Sequence, residues 1–277
     1  MATRAVHLEV VTELSTKAFL AALTRFTSIR GMPNTIYSDN GTAFTGASGE
    51  LQELYNFLDD SRNQHLLQKS AASWRIQWNF IPPRAPHFGG LWERSIRSFK
   101  SIFKIVTLKQ VLNFEELHTL SAQIGAILNS RPITPLSEDP HDLAYLSPGH
   151  FLIGRPINAL PMKSQPTKHV NHLAHWQMIT DLNRQLWERW SQEYLVTLQQ
   201  KHKWTSSRDN IAVGILVLLK DPGAPPAVWK LGRITEVFPG MDGKVRVVMV
   251  LTESGIVKRA ISSIAPLPIV EDQEDVE

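Results

Sequence analysis

Two carboxylates stand where the chain could hold a metal ion. Asp39, in Ser38-Asp39-Asn40-Gly41-Thr42, follows a short run, Asn34-Thr35-Ile36-Tyr37, that reads as a strand. Glu93, in Pro86-His87-Phe88-Gly89-Gly90-Leu91-Trp92-Glu93-Arg94, follows a Pro/Gly loop and sits just inside a predicted helix. Carboxylate oxygens suit hard divalent cations such as Mg²⁺. Each acid alone has a simpler explanation. Asp before Asn-Gly is a common turn, and Glu in a first helical turn is favoured by the helix dipole.

The helix that Glu93 opens spans about residues 91–106 and is basic. Glu93, Arg97 and Lys100 recur at i, i+4 and i+7 and share one face, which Lys104 extends; Arg94 lies off that line. A row of cations on one helix face suits phosphate oxygens, with little reading of bases. His87 is assigned to the loop rather than to a metal. His169, His172 and His175 are closely spaced, but no Cys or acid completes a zinc set.

Other elements must position these residues. Residues 5–11 read as a strand. Ser15 is suited to cap a helix whose Ala18, Phe19, Ala22, Leu23 and Phe26 share a face, ended by Gly31 and Pro33. Residues 50–58 read as a helix and 74–81 as a strand, with Trp74, Ile76 and Trp78 on one side. A further helix is expected over about 114–129. Residues 61–72 read as a variable connection, and 130–167 as a Pro-rich extended connector. Residues 173–204 carry a helical stripe of Trp176, Ile179, Leu182, Leu186, Trp187, Trp190 and Tyr194. Five short runs follow, at 213–219, 229–237, 245–251, 255–260 and near Ile264, punctuated by Pro222-Gly223, Pro239-Gly240 and Asp242-Gly243. They suggest a small SH3-like barrel. Lys220, Lys230, Arg233, Lys244, Arg246, Lys258 and Arg259 would give it a basic surface. The segment 168–270 is expected to fold by itself.

Composition narrows the classes. The chain has 277 residues, 43% of them hydrophobic, enough for one or two ordinary globular domains. It has no cysteine, which excludes disulfides and thiolate zinc sites and fits a reducing compartment. The net charge of +3 permits a nucleic-acid partner without arguing for one. No signal-peptide layout and no membrane-length apolar run is evident, so no membrane partner is expected.

Taken in order, the Asp39 and Glu93 segments resemble the second and third acidic motifs of the DDE integrases of retroviruses and LTR retrotransposons. Residues 80–94, Asn129-Ser130-Arg131-Pro132-Ile133-Thr134, Leu146-Ser147-Pro148-Gly149-His150-Phe151-Leu152 and Pro225-Pro226-Ala227-Val228-Trp229-Lys230-Leu231-Gly232-Arg233-Ile234 are similar to the BEL/Pao class. The resemblance runs over nearly the whole chain.

It implies an α/β fold: a truncated RNase H-like integrase core over 1–130, a Pro-rich connector over 131–167, a long amphipathic helix over 168–205, an SH3-like β-barrel over 206–270 and an acidic tail over 271–277. It implies Asp39 and Glu93 as catalytic metal ligands for Mg²⁺ or Mn²⁺. In such enzymes one ion activates the attacking water or DNA 3′-hydroxyl, and the other stabilises the leaving oxygen. Arg97, Lys100, Lys104, Lys230, Arg233, Lys244 and Arg246 are the DNA-binding candidates. DNA and other integrase protomers are the implied partners, and the nucleus the implied location.

The first acidic residue of the family has no match. Glu9 and Glu13 are the nearest carboxylates, and both are rejected, because they lie on or after the core's third strand. The expectation is an integrase fragment that binds nucleic acid, whose ancestral 3′-processing and strand transfer are lost, with metal binding weak or absent. The alternatives are an active integrase whose N-terminus was lost in gene prediction, and a domesticated DNA- or protein-binding module.

Overall fold

The computed structural model describes residues 3–59, 76–82, 100, 103–104, 107, 111–137, 139, 141–158, 174–199, 211–221 and 223–268. It is a mixed helix and sheet structure in two units, His7–Ser98 and, separately, Met1–Val6 with Phe99–Glu277.

In the first unit, α1 (Thr16–Arg30) begins at Ser15, whose Oγ accepts the Ala18 N–H at 3.1 Å. It ends at Gly31, where φ is 85° and the N–H returns to the Thr27 carbonyl. A positive φ of this kind favours glycine. Strand β1 (Thr35–Ser38) leads to α2 (Thr42–Asp59), and β2 (Gln77–Phe80) pairs parallel with β1, Ser38 opposite Phe80. Phe19 of α1 packs edge-on to Phe44, centroids 4.9 Å apart, and against Trp78 at 5.7 Å. Helices α1 and α2 meet closely at Gly46, where a Cβ would lie 2.2 Å from Thr16 Oγ1.

Residues 5–11 do not form the expected strand. A strand needs a backbone ladder, and here the Val6 N–H and carbonyl are taken by the Asn129 side chain instead. Glu9 accepts from Arg25 at 2.7 Å and pairs with His7 at 3.0 Å. Burial pushes its carboxyl up, but those two hydrogen bonds outweigh it and hold the pKa below the usual value. α2 also starts earlier than its apolar pattern indicates, because the turn at Asp39 feeds directly into it.

In the second unit, α3 (Phe114–Ser130) opens with a capping box. The Asn113 side chain accepts the Glu116 N–H, and the Glu116 carboxylate accepts the Asn113 N–H. Leu120, Ile124, Ile127 and Leu128 are buried along one face. The connector holds a two-residue antiparallel ladder, β3 (Thr134–Pro135) with β4 (Tyr145–Leu146), and one short helix, α4 (His150–Ile153). Helix α5 (Ala174–Gln199) buries Ile179, Leu182, Leu186, Trp187, Trp190 and Leu195. Trp176, expected in that stripe, is 58% exposed.

A five-stranded antiparallel sheet follows: β5 (Leu216–Leu219), β6 (Leu231–Pro239), β7 (Val245–Thr252), β8 (Gly255–Ala260) and β9 (Ile264–Pro266), in the order β8-β7-β6-β5-β9. β5 is apolar throughout because both its faces are covered. Val217 and Leu219 join Ile234, Val248 and Val250 on one side. Leu216 and Leu218 join Leu195 of α5, with Leu143 and Tyr145 of the connector packed against them. Among the described residues, no helix is long and apolar enough to cross a membrane.

The connector, α5 and the sheet meet at Trp229. Its ring packs on Trp187 at 4.8 Å, Tyr194 at 5.5 Å and Trp190 at 5.8 Å, and its Nε1–H donates to Ser130 Oγ at 3.1 Å. The Tyr194 hydroxyl donates to the Pro132 carbonyl. Burial, only partly offset by the charges of Arg131 and Arg4, pushes the Tyr194 phenol up to about 12. An unfolded tyrosine ionises near 10. The stability from the buried phenol is therefore whole below pH 10 and is lost as pH rises towards 12. By the free-energy equivalent of a pKa shift, the stability advantage over Tyr194→Phe should shrink by roughly 2 kcal/mol between pH 9 and 12. Urea midpoints across that range test this; a constant difference would contradict it.

Candidate functional site

Asp39 stands at the carboxyl end of β1, beside the end of its parallel neighbour β2. In open α/β sheets this is where ligands bind. The turn is well fixed. Ser38 is buried, and its Oγ accepts from Trp78 Nε1 at 2.9 Å and donates to the Asp39 carbonyl at 2.9 Å. The Ile81 N–H reaches the Ser38 carbonyl, and Asn40 Nδ2 donates to the Ile81 carbonyl at 2.9 Å. Asp39 Oδ1 accepts the Gly41 N–H at 2.9 Å, and the residue itself is exposed. The geometry is an Asx turn that also presents a carboxylate to solvent. Mg²⁺ is commonly held by one or two carboxylates with waters and phosphate oxygens, and Asp39 fits as one such ligand. Among the described residues, no three His, Asp or Glu side chains converge. Glu93 and Arg97, like His87, His169 and His172, lie outside the described residues.

The second unit holds the other cations. Lys100 and Lys104 are helical and exposed. On the sheet the four candidates have different surroundings. Lys244 is exposed, and its ammonium makes no ion pair among the described residues. Arg246 forms a two-pronged pair with Asp242, at 3.2 and 2.7 Å. The Lys230 ammonium is paired with Asp221.

Arg233 is a correction. It is only 6% exposed, and its guanidinium donates to the carbonyls of Gly214 at 2.8 Å, Asp142 at 2.9 Å and Ser137 at 3.2 Å. It lies near the start of β6, the central strand of the sheet, and is turned inward onto the connector, so it braces the fold and is unavailable to DNA.

Several motifs prominent in the sequence prove to be joints. Asn129 brackets the backbone of Val6, accepting its N–H at 2.8 Å and donating to its carbonyl at 2.7 Å. Arg131 donates to the Arg4 carbonyl at 2.7 Å. Ser147 N–H donates to His150 Nδ1 at 3.0 Å, which closes the turn before α4. The two aspartates that neutralise Lys230 and Arg246 are easily missed in the sequence. In the sequence Asp242 reads only as a turn residue, and Asp221 stands unremarked beside the Pro222-Gly223 turn. Each does form an Asx turn, accepting from Gly223 at 3.0 Å and Lys244 at 3.3 Å, and each then turns its carboxylate on a nearby cation.

Comparison with known proteins adds little chemistry. Residues 174–267, which are α5 and the sheet, match the model of a family described as "Family of unknown function (DUF5641)". No curated protein matches. Among solved structures, one similar chain is from the simian T-cell lymphotropic virus intasome in complex with PP2A regulatory subunit B56 gamma. It is 12% identical, with a TM-score of 0.31, over 93% of this chain and 66% of that one.

Proposed function

We propose that this chain is part of a BEL/Pao-type retrotransposon integrase: an RNase H-like core segment, a helical connector and an SH3-like module that bind DNA through its phosphates. The observation that carries this is the carboxylate of Asp39, held by a fixed turn at the carboxyl end of a parallel strand. It belongs to the motif that, with the Glu93 motif, resembles a DDE site. Asp39 and Glu93 are the residues that would hold a divalent cation, and such an ion would supply Lewis-acid polarisation at phosphorus. This chain's own part is positional: Ser38, Trp78 and Asn40 fix the turn that carries Asp39 and, separately, Lys100 and Lys104 offer charge to phosphate.

Two carboxylates hold one Mg²⁺ weakly, and the family's chemistry uses two ions. Strand transfer by these 277 residues is therefore not expected, and binding is the function proposed. Mn²⁺ binding to the full chain, followed by electron paramagnetic resonance, checks the site. Weak binding that falls at least about threefold in both Asp39→Asn and Glu93→Gln is expected, since each removes one of two carboxylate ligands. Binding unchanged in both variants would contradict the assignment.

A second reading, a module that binds protein instead, is favoured by one observation. Arg246 and Lys230 are both already paired with turn aspartates, Asp242 and Asp221.

A further inference from the structure

We propose that Lys220, Lys230 and Arg259 form a contact site for one backbone phosphate of DNA, and that the Asp221 carboxylate occupies the place of that phosphate until DNA arrives. This rests on the DNA-binding reading above and says where on the sheet module the contact is made.

A small groove between α5 and the start of β6 is lined by Ser191, Gln192, Lys220, Asp221, Trp229 and Lys230, among others. Its volume is about 20 Å³, room for about one water-sized sphere. Neither a base nor a sugar fits. An anionic oxygen at the mouth does, so the contact carries no sequence information.

Charge is unbalanced there. Asp221 is the carboxylate that answers Lys230, and Arg259 adds its field to the same group. Lys220 is the neighbouring residue and is exposed. Two cations thus act on one acid, and a third, Lys220, lines the same groove. Asp221 is well held for a surrogate role: Oδ2 meets the Lys230 ammonium while Oδ1 takes the Gly223 N–H. The hydrogen bond from Lys230, then the Gly223 N–H and the charges of Lys230 and Arg259, keep its carboxyl below the usual range against the opposing effect of burial. It is therefore ionised at neutral pH. The pair is also easily exchanged. The Lys230 side chain is 61% exposed, and ion pairs this open contribute little. A DNA phosphate, with neighbouring phosphates behind it, competes well for the same ammonium.

The pair at Asp242 lacks this surplus. Arg246 meets both carboxylate oxygens, and only Lys244 is left over.

The test is fluorescence anisotropy of the full chain with a labelled mixed-sequence duplex of about 30 base pairs across a salt series. Asp221→Asn should tighten binding roughly 3- to 10-fold and steepen the salt dependence by about one phosphate. The triple variant Lys220→Gln, Lys230→Gln, Arg259→Gln should weaken binding at least about tenfold and flatten the slope by about one. Circular dichroism confirms that each variant is folded. If the wild type binds, but Asp221→Asn binds no tighter or the triple variant binds like the wild type, the site is wrong while the DNA-binding reading stands. If the wild type does not bind at low salt, that reading falls first and the site with it.

Discussion

Cut back to residues 174–268, the chain will not unfold cooperatively. That segment contains the whole of the family match, and its own apolar runs led to the expectation that 168–270 would fold alone. The structure overturns the ground for it. The face of the sheet formed by Leu216, Leu218 and Leu231 is covered partly by Leu143 and Tyr145. Removing them uncovers apolar surface worth about 1.5–3 kcal/mol per side chain. Arg233 would lose the Ser137 and Asp142 carbonyls and keep only Gly214. Its guanidinium, uncovered by the same cut, would exchange those bonds for water, a loss of about 1 kcal/mol each. Tyr194 and Trp229 would lose Pro132 and Ser130. Together these losses approach the whole stability of a domain, about 5–15 kcal/mol. A fragment spanning 111–268 should instead unfold in one sharp transition by calorimetry. A sharp transition in 174–268 at a similar temperature would contradict the packing described.

The second large effect is Trp229→Ala. It should destabilise the second unit by about 3–5 kcal/mol, the range for truncating a packed aromatic. The ring touches Trp187, Trp190 and Tyr194, and the indole N–H satisfies Ser130. Trp229→Phe should recover much of the packing but leave Ser130 without that donor, at about 1 kcal/mol. Trp176→Ala is the internal comparison. With its side chain largely exposed, it should cost under about 0.5 kcal/mol, as surface substitutions do. Equal losses at Trp176 and Trp229, read from denaturant midpoints, would show that the cluster does not act as the joint.

What could be read from the sequence follows how local the signals are. The Ser15 cap, the Gly31 stop and the sheet strands rest on near neighbours, and these elements stand close to where their patterns put them. Residues 5–11 have a strand's composition, but a ladder depends on a partner far away in sequence, and none of the described residues supplies one. Arg233 illustrates the same limit among cations. Arg on a short strand reads as surface charge, and only the distant Ser137 and Asp142 carbonyls make it buried. For the candidate site, the position of Asp39 at a strand's end was legible because the strand and turn are contiguous. That Asp221 and Asp242 would cancel two of the expected DNA-binding charges was not. A turn aspartate and an ion-pairing aspartate look identical until the neighbouring strands are in place.

Binding of DNA through backbone phosphates is the central claim. Its most direct test is the salt dependence of affinity for the full chain, measured by anisotropy with two labelled duplexes of unrelated sequence. The predicted result is binding at about 50 mM salt that weakens steeply, with a log–log slope of about 3 to 5, and differs little between the two duplexes. No binding at that salt, or an affinity that salt leaves unchanged, would contradict it.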